Sequence, residues 1–499
     1  MQTLPADLSS SHNEIIKQRS DIQKLERELE YVKEQLRLTR ARIFGKSSEK
    51  RLVENPTSQT LLFSSTAATP QPEPKIQKIE YTRKAKQDVE GKLPEGTRFP
   101  DHLERRDEII DEGEGEVKFE KITERLATDG SPFYVKRIIR RIRSKDGSLS
   151  SPPVPPAVIE RTSVDVSFLS YLLVSKYVWH LPLYRQEQML KMQGITISRD
   201  TLIRYVITVA ELLKPIYVSL GVLLFSSDHL FSDETPIMVG KLSGNSKKYS
   251  ESRFWAFLGH AGCVFYHTPT RAYKEVEPLL KSFNGHLQTD GYKVYDKVSR
   301  EYPEITLVSC WAHVRRKFVD AEKGGNAPEA SEALRYIRAL YRVETRIRHG
   351  DLKPPEMLKL RKRFSKKILK LFEVWLKKKA EDNSILPKCL FGAAVAYARN
   401  RFDALSLYVD NANLSIDSNA IEREIRPVAL GKKNWMFCAS EAGAEASAII
   451  YSLTASCRLA GVDPFEYFKD VLERISVHPA SKIEDLIPAN WKFLKIKEI

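Results

Sequence analysis

The sequence predicts an α/β protein, on three observations. From Asp228 onward, three short aromatic and β-branched stretches follow one another directly, "HLFSDETPIMV", "RFWAFLGH" and "CVFYHTP", with turn residues between them. Amphipathic and apolar segments then alternate: "AYKEVEPLLKSF" reads as helix, "GHLQTD" as strand, "YKVYDKVSREYP" as helix, "ITLVSCWAH" as strand and "VRRKFVDAEK" as helix. A basic helical block interrupts this pattern before it resumes. Three antiparallel-looking strands followed by α/β alternation describe an RNase H-like core over residues 226–323 and 416–475, with a helical insertion at 324–415.

Four segments precede that core. Ile15, Ile22, Leu29 and Leu36 are seven apart, and Leu25 and Val32 fall three after Ile22 and Leu29. This a/d seam predicts a coiled-coil, leucine-zipper-like helix at 12–50, although Gln18 and Thr39 spoil the d positions at its ends. A helix docked on its own protein is the competing reading. Residues 51–91, rich in Ser, Thr, Pro and Gln, read as a flexible linker. Residues 92–150 alternate β-branched and charged side chains, as in "EVKFEKITERLA" and "FYVKRIIRRIRS", which predicts a small β-rich module ending at the Pro-rich hinge "SLSSPPVPPAV". Residues 160–225 read as helical: a helix, a turn at Gly194, then a helix capped by Ser198 with Leu202, Tyr205, Val206 and Val209 as its buried stripe. That outline fits a helix-turn-helix and places Arg199 and Arg204 where base or phosphate contacts occur; an ordinary αα-hairpin fits it equally.

Composition narrows the class. The chain has 499 residues, 42% hydrophobic and 29% charged, which describes a globular protein with at least one large core. No uninterrupted apolar run approaches membrane length, and the N-terminus lacks the basic and apolar regions of a signal peptide. The five cysteines, Cys263, Cys310, Cys389, Cys438 and Cys457, do not form a disulfide framework, so a cytoplasmic setting with no membrane partner is expected. The net charge is +15, and Arg335 to Ala380 carries 16 Lys and Arg against 4 Asp and Glu. There Leu360, Phe364, Ile368, Leu371 and Trp375 predict a buried stripe, with Arg361, Lys362, Lys366, Lys367 and Lys370 on the other faces. A surplus of twelve positives exceeds what a solvated face requires and predicts a surface that follows nucleic-acid phosphates.

Three acids stand out. Asp233 lies in the first core strand, Asp290 ends the fourth, and Glu422 lies on the helix "NAIEREIRP". In an RNase H-like sheet the first and fourth strands are neighbours, so both Asp side chains and a Glu from a packed helix converge. Close, unpaired carboxylates repel, and a divalent cation resolves this. A pair of Mg²⁺ ions about 4 Å apart supplies activation of the attacking oxygen and neutralisation of the leaving one in phosphoryl transfer. Each acid also has an ordinary reading: a turn cap before Pro236 for Asp233, Asp–Gly turn chemistry for Asp290, an i,i+4 pair with Arg426 for Glu422. Glu424 is a rival to Glu422, but two residues along a helix turn it about 200° away, so only one of them faces the site.

The stretches "RIFGKSSEK", "VSKYVWHLPLYRQEQM", "SDETPIMV", "TDGYKVYD", "CWAHVRRKF" and "NAIEREIRPVALGKKNWMFCASEAGAEASAIIYSL" resemble the DDE transposases of insertion-sequence family sixty-six, over nearly the whole chain. The resemblance implies a metal-binding triad of Asp233, Asp290 and Glu422, with Mg²⁺ as cofactor and Mn²⁺ as substitute. It places Arg423 and Arg426 beside the scissile phosphate or against Glu422, and His313, Arg315, Arg316 and Lys317 at the rim, in contact with DNA. It also implies cleavage and 3′-OH strand transfer at the inverted-repeat ends of a bacterial mobile element, DNA and target DNA as partners, a homodimer or higher oligomer through the N-terminal helix, and small accessory proteins. A catalytically inert DNA-binding regulator and a structure-selective nuclease are the alternatives. Relatives usually carry a cysteine-pair zinc finger after the zipper. Here no cysteine precedes Cys263, and Cys310-x-x-His313 has no partner pair, so no zinc is expected.

Overall fold

The structure is a computed structural model that describes residues 26, 29–37, 99–111, 116–130, 133–145, 148–150, 158–159, 162–243 and 246–491. The expected linker at 51–91, most of the expected coiled coil and most of the Pro-rich hinge lie outside the described residues. The chain is mixed α/β, with two sheets and helices before, between and after their strands.

Helix α1, residues 29–37, presents the seam residues Leu29, Val32 and Leu36 to solvent. Its other side docks on the chain itself: Glu34 is buried, and its Oε2 accepts from the Leu390 amide at 2.9 Å.

The first sheet comprises β1 (Arg105–Ile110), β2 (Glu116–Thr128), β3 (Phe133–Lys145) and β4 (Ser148–Ser150), with β3 between β1 and β2. It lies in the cysteine-free region and holds its shape by packing. Leu126 and Val135 are fully buried, and Phe99, Leu103 and Phe133 join them against Phe168 and Leu172 of α2 (Val166–Tyr177). Backbone bonds link Leu126 to Ser163 and Asp165, which fixes the sheet to the start of that helix.

α3 (Leu183–Met192) and α4 (Arg199–Phe225) follow, with the Ser198 side chain accepting from the Thr201 amide at 3.3 Å. Leu202, Val206 and Val209 are buried and Tyr205 is partly so. α4 does not stop after a recognition-helix length. Its 27 residues continue through Leu213, Ile216, Leu220 and Leu224, all fully buried against the second sheet. Among the described residues it is the helix long and apolar enough to cross a membrane by length and composition.

The second sheet has the order β7-β6-β5-β8-β9, from β5 (His229–Ser243), β6 (Ser246–Gly259), β7 (Gly262–Thr268), β8 (Gly285–Thr289) and β9 (Ile305–Ser309). β5, β6 and β7 are antiparallel; β8 and β9 run parallel to β5. α5 (Tyr273–Leu280) and α6 (Lys293–Glu301) make the crossovers. The edge strand β7 is covered by α14 (Glu441–Ala460), whose small side chains allow close approach. Ser452 and Ser456 accept from the β7 amides of Phe265 and Cys263 at 2.8 and 3.0 Å. α13 (Asn419–Trp435) packs on β5 and β6, and α15 (Pro464–Arg474) on α2.

Between α7 (Trp311–Gly324) and α13 lies the inserted domain, α8 (Ala327–His349), α9 (Pro354–Leu360), α10 (Lys366–Ala380), α11 (Leu390–Asn400) and α12 (Phe402–Ser406). It builds a second apolar core around Trp311, Phe318, Phe372, Trp375 and Phe391. A π-turn, Arg361–Ser365, joins α9 to α10. The buried face is Arg361, Ser365, Leu369, Phe372 and Leu376, the expected 4-4-3-4 spacing displaced by one residue along its whole length, with Trp375 buried beside them. Leu371 is exposed.

This corrects the assignment of Arg361 to a DNA-binding face. Its side chain is only 3% exposed and forks onto Glu344 with bonds of 2.9 and 2.8 Å. Nη1 donates to the carbonyls of Tyr408, Asn411 and Leu414. Lys362, Lys366 and Lys367 remain exposed, with Lys366 3.5 Å from Asp410. Removing one partner of a buried, bonded pair strands the other charge. Arg361→Ala should therefore destabilise the protein by about 3–5 kcal/mol, read by denaturant unfolding, whereas Lys367→Ala should stay within about 0.5 kcal/mol of the parent.

Candidate active site

β5 and β8 pair with His229 opposite His286, Leu230 opposite Leu287 and Phe231 opposite Gln288. The same offset, carried two residues on, sets Asp233 level with Asp290, just past the end of β8. Neighbouring strands stand about 4.8 Å apart, and residues level with each other project to one side. Glu422 enters from the first turn of α13, which packs on β5. Asp233 feels the charges of both Asp290 and Glu422, which puts the three acids within electrostatic range of one another.

Each Asp is oriented by its own backbone. The Glu234 amide donates to Asp233 Oδ1 and the Tyr292 amide to Asp290 Oδ1, both at 2.8 Å. Burial pushes the Asp233 carboxyl up to about 7; the Glu234 charge adds to this, the Glu234 amide opposes it, and Asp290 and Glu422 raise it further. Glu234 is a fourth acid at the site. Burial raises its pKa as well, and Arg271 counters this as its ion-pair partner. The Arg271 guanidinium also stacks 3.6 Å from the centroid of Tyr292, tying the loop after Asp290 to the strand that carries Asp233.

Glu422 Oε1 is buried without a hydrogen-bond partner. It stands 3.9 Å from His313 Nε2, while Oε2 stands 4.0 Å from the Arg316 guanidinium. Burial, with help from Arg316, lowers the His313 pKa, so the imidazole is neutral at pH 7 and its approach to Glu422 is not an ion pair. Glu424 takes no part: it is buried and paired with Arg458. An all-oxygen donor set with a buried orphan oxygen and a carboxyl whose charged form is disfavoured by burial and by neighbouring acids fits a hard divalent cation. Among the described residues no three His, Cys, Asp or Glu side chains are gathered at ligand distance around one point.

The expected DNA-facing residues fall on several elements. Arg316 and Lys317 are exposed on α7, with His313 and Arg315 half-buried; Arg423 and Arg426 are exposed on α13. Arg199 and Arg204 are exposed at the start of α4, where Arg204 donates to Thr201 Oγ1. Reading the sequence missed Glu234, Arg271, Tyr292, Tyr397 and Arg401. Glu234 and Tyr292 flank the acids in the chain and were open to notice; Tyr397 and Arg401 carry no local signal.

Residues 161–446, which contain all three acids and the inserted domain, match the transposase IS66 family. The chain belongs to the IS66 transposase family. Residues 452–489 match the IS66 C-terminal element, and residues 32–107 match the segment described as Transposase C of IS166 homeodomain. Two relatives from Sinorhizobium fredii extend the likeness along the chain. The uncharacterized protein y4jD is 31% identical, over 95% of this chain and 96% of its own length. The uncharacterized protein y4qI is 31% identical, over 79% of this chain and 77% of its own. The cysteine-free first sheet thus belongs to an IS66 chain that reaches its fold there without thiolate ligands.

The raised Asp233 pKa gives this IS66 chain a pH signature. A folded-state value of about 7 against an ordinary 3.8 contributes stability that is full below 3.8 and lost as pH rises through about 7. Asp233→Asn should remove that fall, and at pH 8 the metal-free variant should exceed the parent by about 1–3 kcal/mol. Denaturant unfolding of both proteins across that pH range reads the difference.

Proposed function

We propose that this transposase is a metal-dependent DNA nuclease and strand transferase built on an RNase H-like core. The observation that carries the reading is the level placement of Asp233 and Asp290 on adjacent parallel strands, with Glu422 brought in by α13. The sheet order, with its fourth strand beside its first, supports the same core. Asp233, Asp290 and Glu422 would hold Mg²⁺, or Mn²⁺ in its place, and no zinc. When bound, the metal supplies Lewis-acid activation of the attacking oxygen and charge neutralisation at the leaving one. The chain's own residues place the DNA. Arg316 lies beside Glu422, and with Lys317, Arg423 and Arg426 it supplies positive charge around the acids. Lys362, Lys366 and Lys367 extend that charge along the inserted domain, and Arg199 and Arg204 along α4. Neutral His313 fills the space behind Glu422 without competing for it as a counter-ion.

The substrates on this reading are the inverted-repeat ends of a mobile element and a target duplex, joined by 3′-OH strand transfer in the bacterial cytoplasm. The exposed seam of Leu29, Val32 and Leu36 supports pairing of two copies, which brings two ends together. Small accessory proteins of the same element are further partners.

Purified protein incubated with labelled element-end DNA should nick it only when Mg²⁺ or Mn²⁺ is present, and should join the product to a second duplex. Asp290→Asn should cost at least about a hundredfold in nicking rate, the scale of losing one transition-state charge contact. Nicking at the parent rate by that variant overturns the assignment, and DNA binding without cleavage, indifferent to metal, assigns the chain as an inert regulator. Because Asp233 must release its proton to take metal, the Mg²⁺ concentration for half-maximal nicking should rise roughly tenfold per unit as pH falls below about 7.

A further inference from the structure

Asp290 begins a turn between β8, which ends at Thr289, and α6, which starts at Lys293; within it the Gly291 amide donates to Thr289 Oγ1 at 3.3 Å and the Tyr292 amide to Asp290 Oδ1 at 2.8 Å. Two side chains from the far end of the inserted domain hold it. The Tyr397 hydroxyl donates to the Asp290 carbonyl at 2.6 Å, and Arg401 Nη2 donates to the Gly291 carbonyl at 2.7 Å. The same guanidinium forks onto Asp296 of α6, at 3.2 and 3.0 Å, which fixes it from the side of the sheet. Among the described residues every hydrogen bond of the Arg401 guanidinium goes to this turn or to α6, and none to the inserted domain that carries it. Gly291 makes the approach possible. Its φ is +87°, and a Cβ there would lie 2.8 Å from both Arg401 Nε and the Tyr397 hydroxyl. Tyr397 is in turn bracketed by cations, with Lys317 Nζ 4.6 Å and the Arg401 guanidinium 5.4 Å from its ring centroid.

We propose that Tyr397 and Arg401 are positioning residues for Asp290, which makes the inserted domain part of the metal-holding apparatus and not only a surface for DNA. This rests on the reading of Asp233, Asp290 and Glu422 as metal ligands. The two contacts lock the two peptide groups that flank Gly291, and the Tyr292 amide then aims Asp290 Oδ1. Losing either contact frees the carboxylate to swing away from Asp233, so its effect appears first in metal binding and only through that in cleavage.

The test uses the full chain with Tyr397→Phe, which removes one hydroxyl and keeps the ring, and Arg401→Ala. Mn²⁺ binding is titrated by electron paramagnetic resonance with element-end DNA present, and nicking is measured against Mg²⁺ concentration. Each variant should need about 10–100-fold more metal in both titrations, the usual cost of losing an outer partner of a metal ligand. End-DNA binding without metal should stay at the parent value in both variants, and the melting curve should stay there in Tyr397→Phe, the variant that separates positioning from stability. Variants that bind Mn²⁺ and nick at parent metal concentrations, while Asp290→Asn loses both, overturn the inference and leave the functional reading intact. A loss of nicking that tracks a lowered melting temperature, with the Mn²⁺ midpoint unchanged, also overturns it by reducing both residues to scaffold. If the parent protein shows no Mn²⁺ binding that depends on Asp233, Asp290 and Glu422, the functional reading itself falls, and this inference with it.

Discussion

Hydrogen-bonded pairing of β5 with β8 extends over only three residue pairs, yet it decides where two of the three acids stand. A slip of one residue in that register would turn the level partner of Asp233 to the opposite face. The start of β8 guards against it. Gly285, at φ +150°, lies so close to the Asp228 backbone that a side chain has no room, and the His286 amide donates to the Asp228 carbonyl at 2.8 Å. The contact that secures the acids is therefore made between main chains at the other end of the strand.

What that register brings together is electrostatically uncomfortable. Asp233, Glu234, Asp290 and Glu422 crowd one end of the sheet, and the counter-charges nearest to hand are either spoken for or kept at a distance. Arg271 is committed to Glu234, Arg316 stands 4.0 Å from Glu422, and His313 is held neutral by burial. The chain keeps its free positive charge outside, on α7, α13 and the inserted domain. An anionic centre inside a cationic rim suits a polyanion that arrives with its own cations.

How much of this was legible in the sequence depended on how local the determining contact is. The strand succession, the cap at Ser198 and the stripe of Leu202, Val206 and Val209 are short-range patterns, and each could be read from neighbouring residues. Asp233 could be placed within the first core strand and Asp290 at the end of the fourth because short β-branched and aromatic runs mark strands. The choice between Glu422 and Glu424 could be framed by helical rotation but not settled by it; the partner that takes Glu424 aside, Arg458, lies 34 positions further on. Arg361 was misread because a 4-4-3-4 spacing fits two stripes one residue apart, and the acid that holds Arg361 inside, Glu344, lies 17 positions earlier. Heptad spacing marked Leu29, Val32 and Leu36, but the docking of Glu34 depends on an amide at residue 390. Tyr397 and Arg401 were invisible for the same reason, since their partners lie more than a hundred residues earlier.

The two points where the chain leaves and re-enters the sheet lie side by side. The Trp311 amide bonds the Ile416 carbonyl, Gln288 reaches the Ser415 carbonyl, and the Ser418 amide points at the Cys310 sulfur. A segment that departs and returns through one doorway can lengthen, shrink or be replaced over generations without prying the strands apart. A descendant that shed it would keep its β-sheet and its acidic side chains but lose Tyr397 and Arg401, the two side chains that hold the turn after β8.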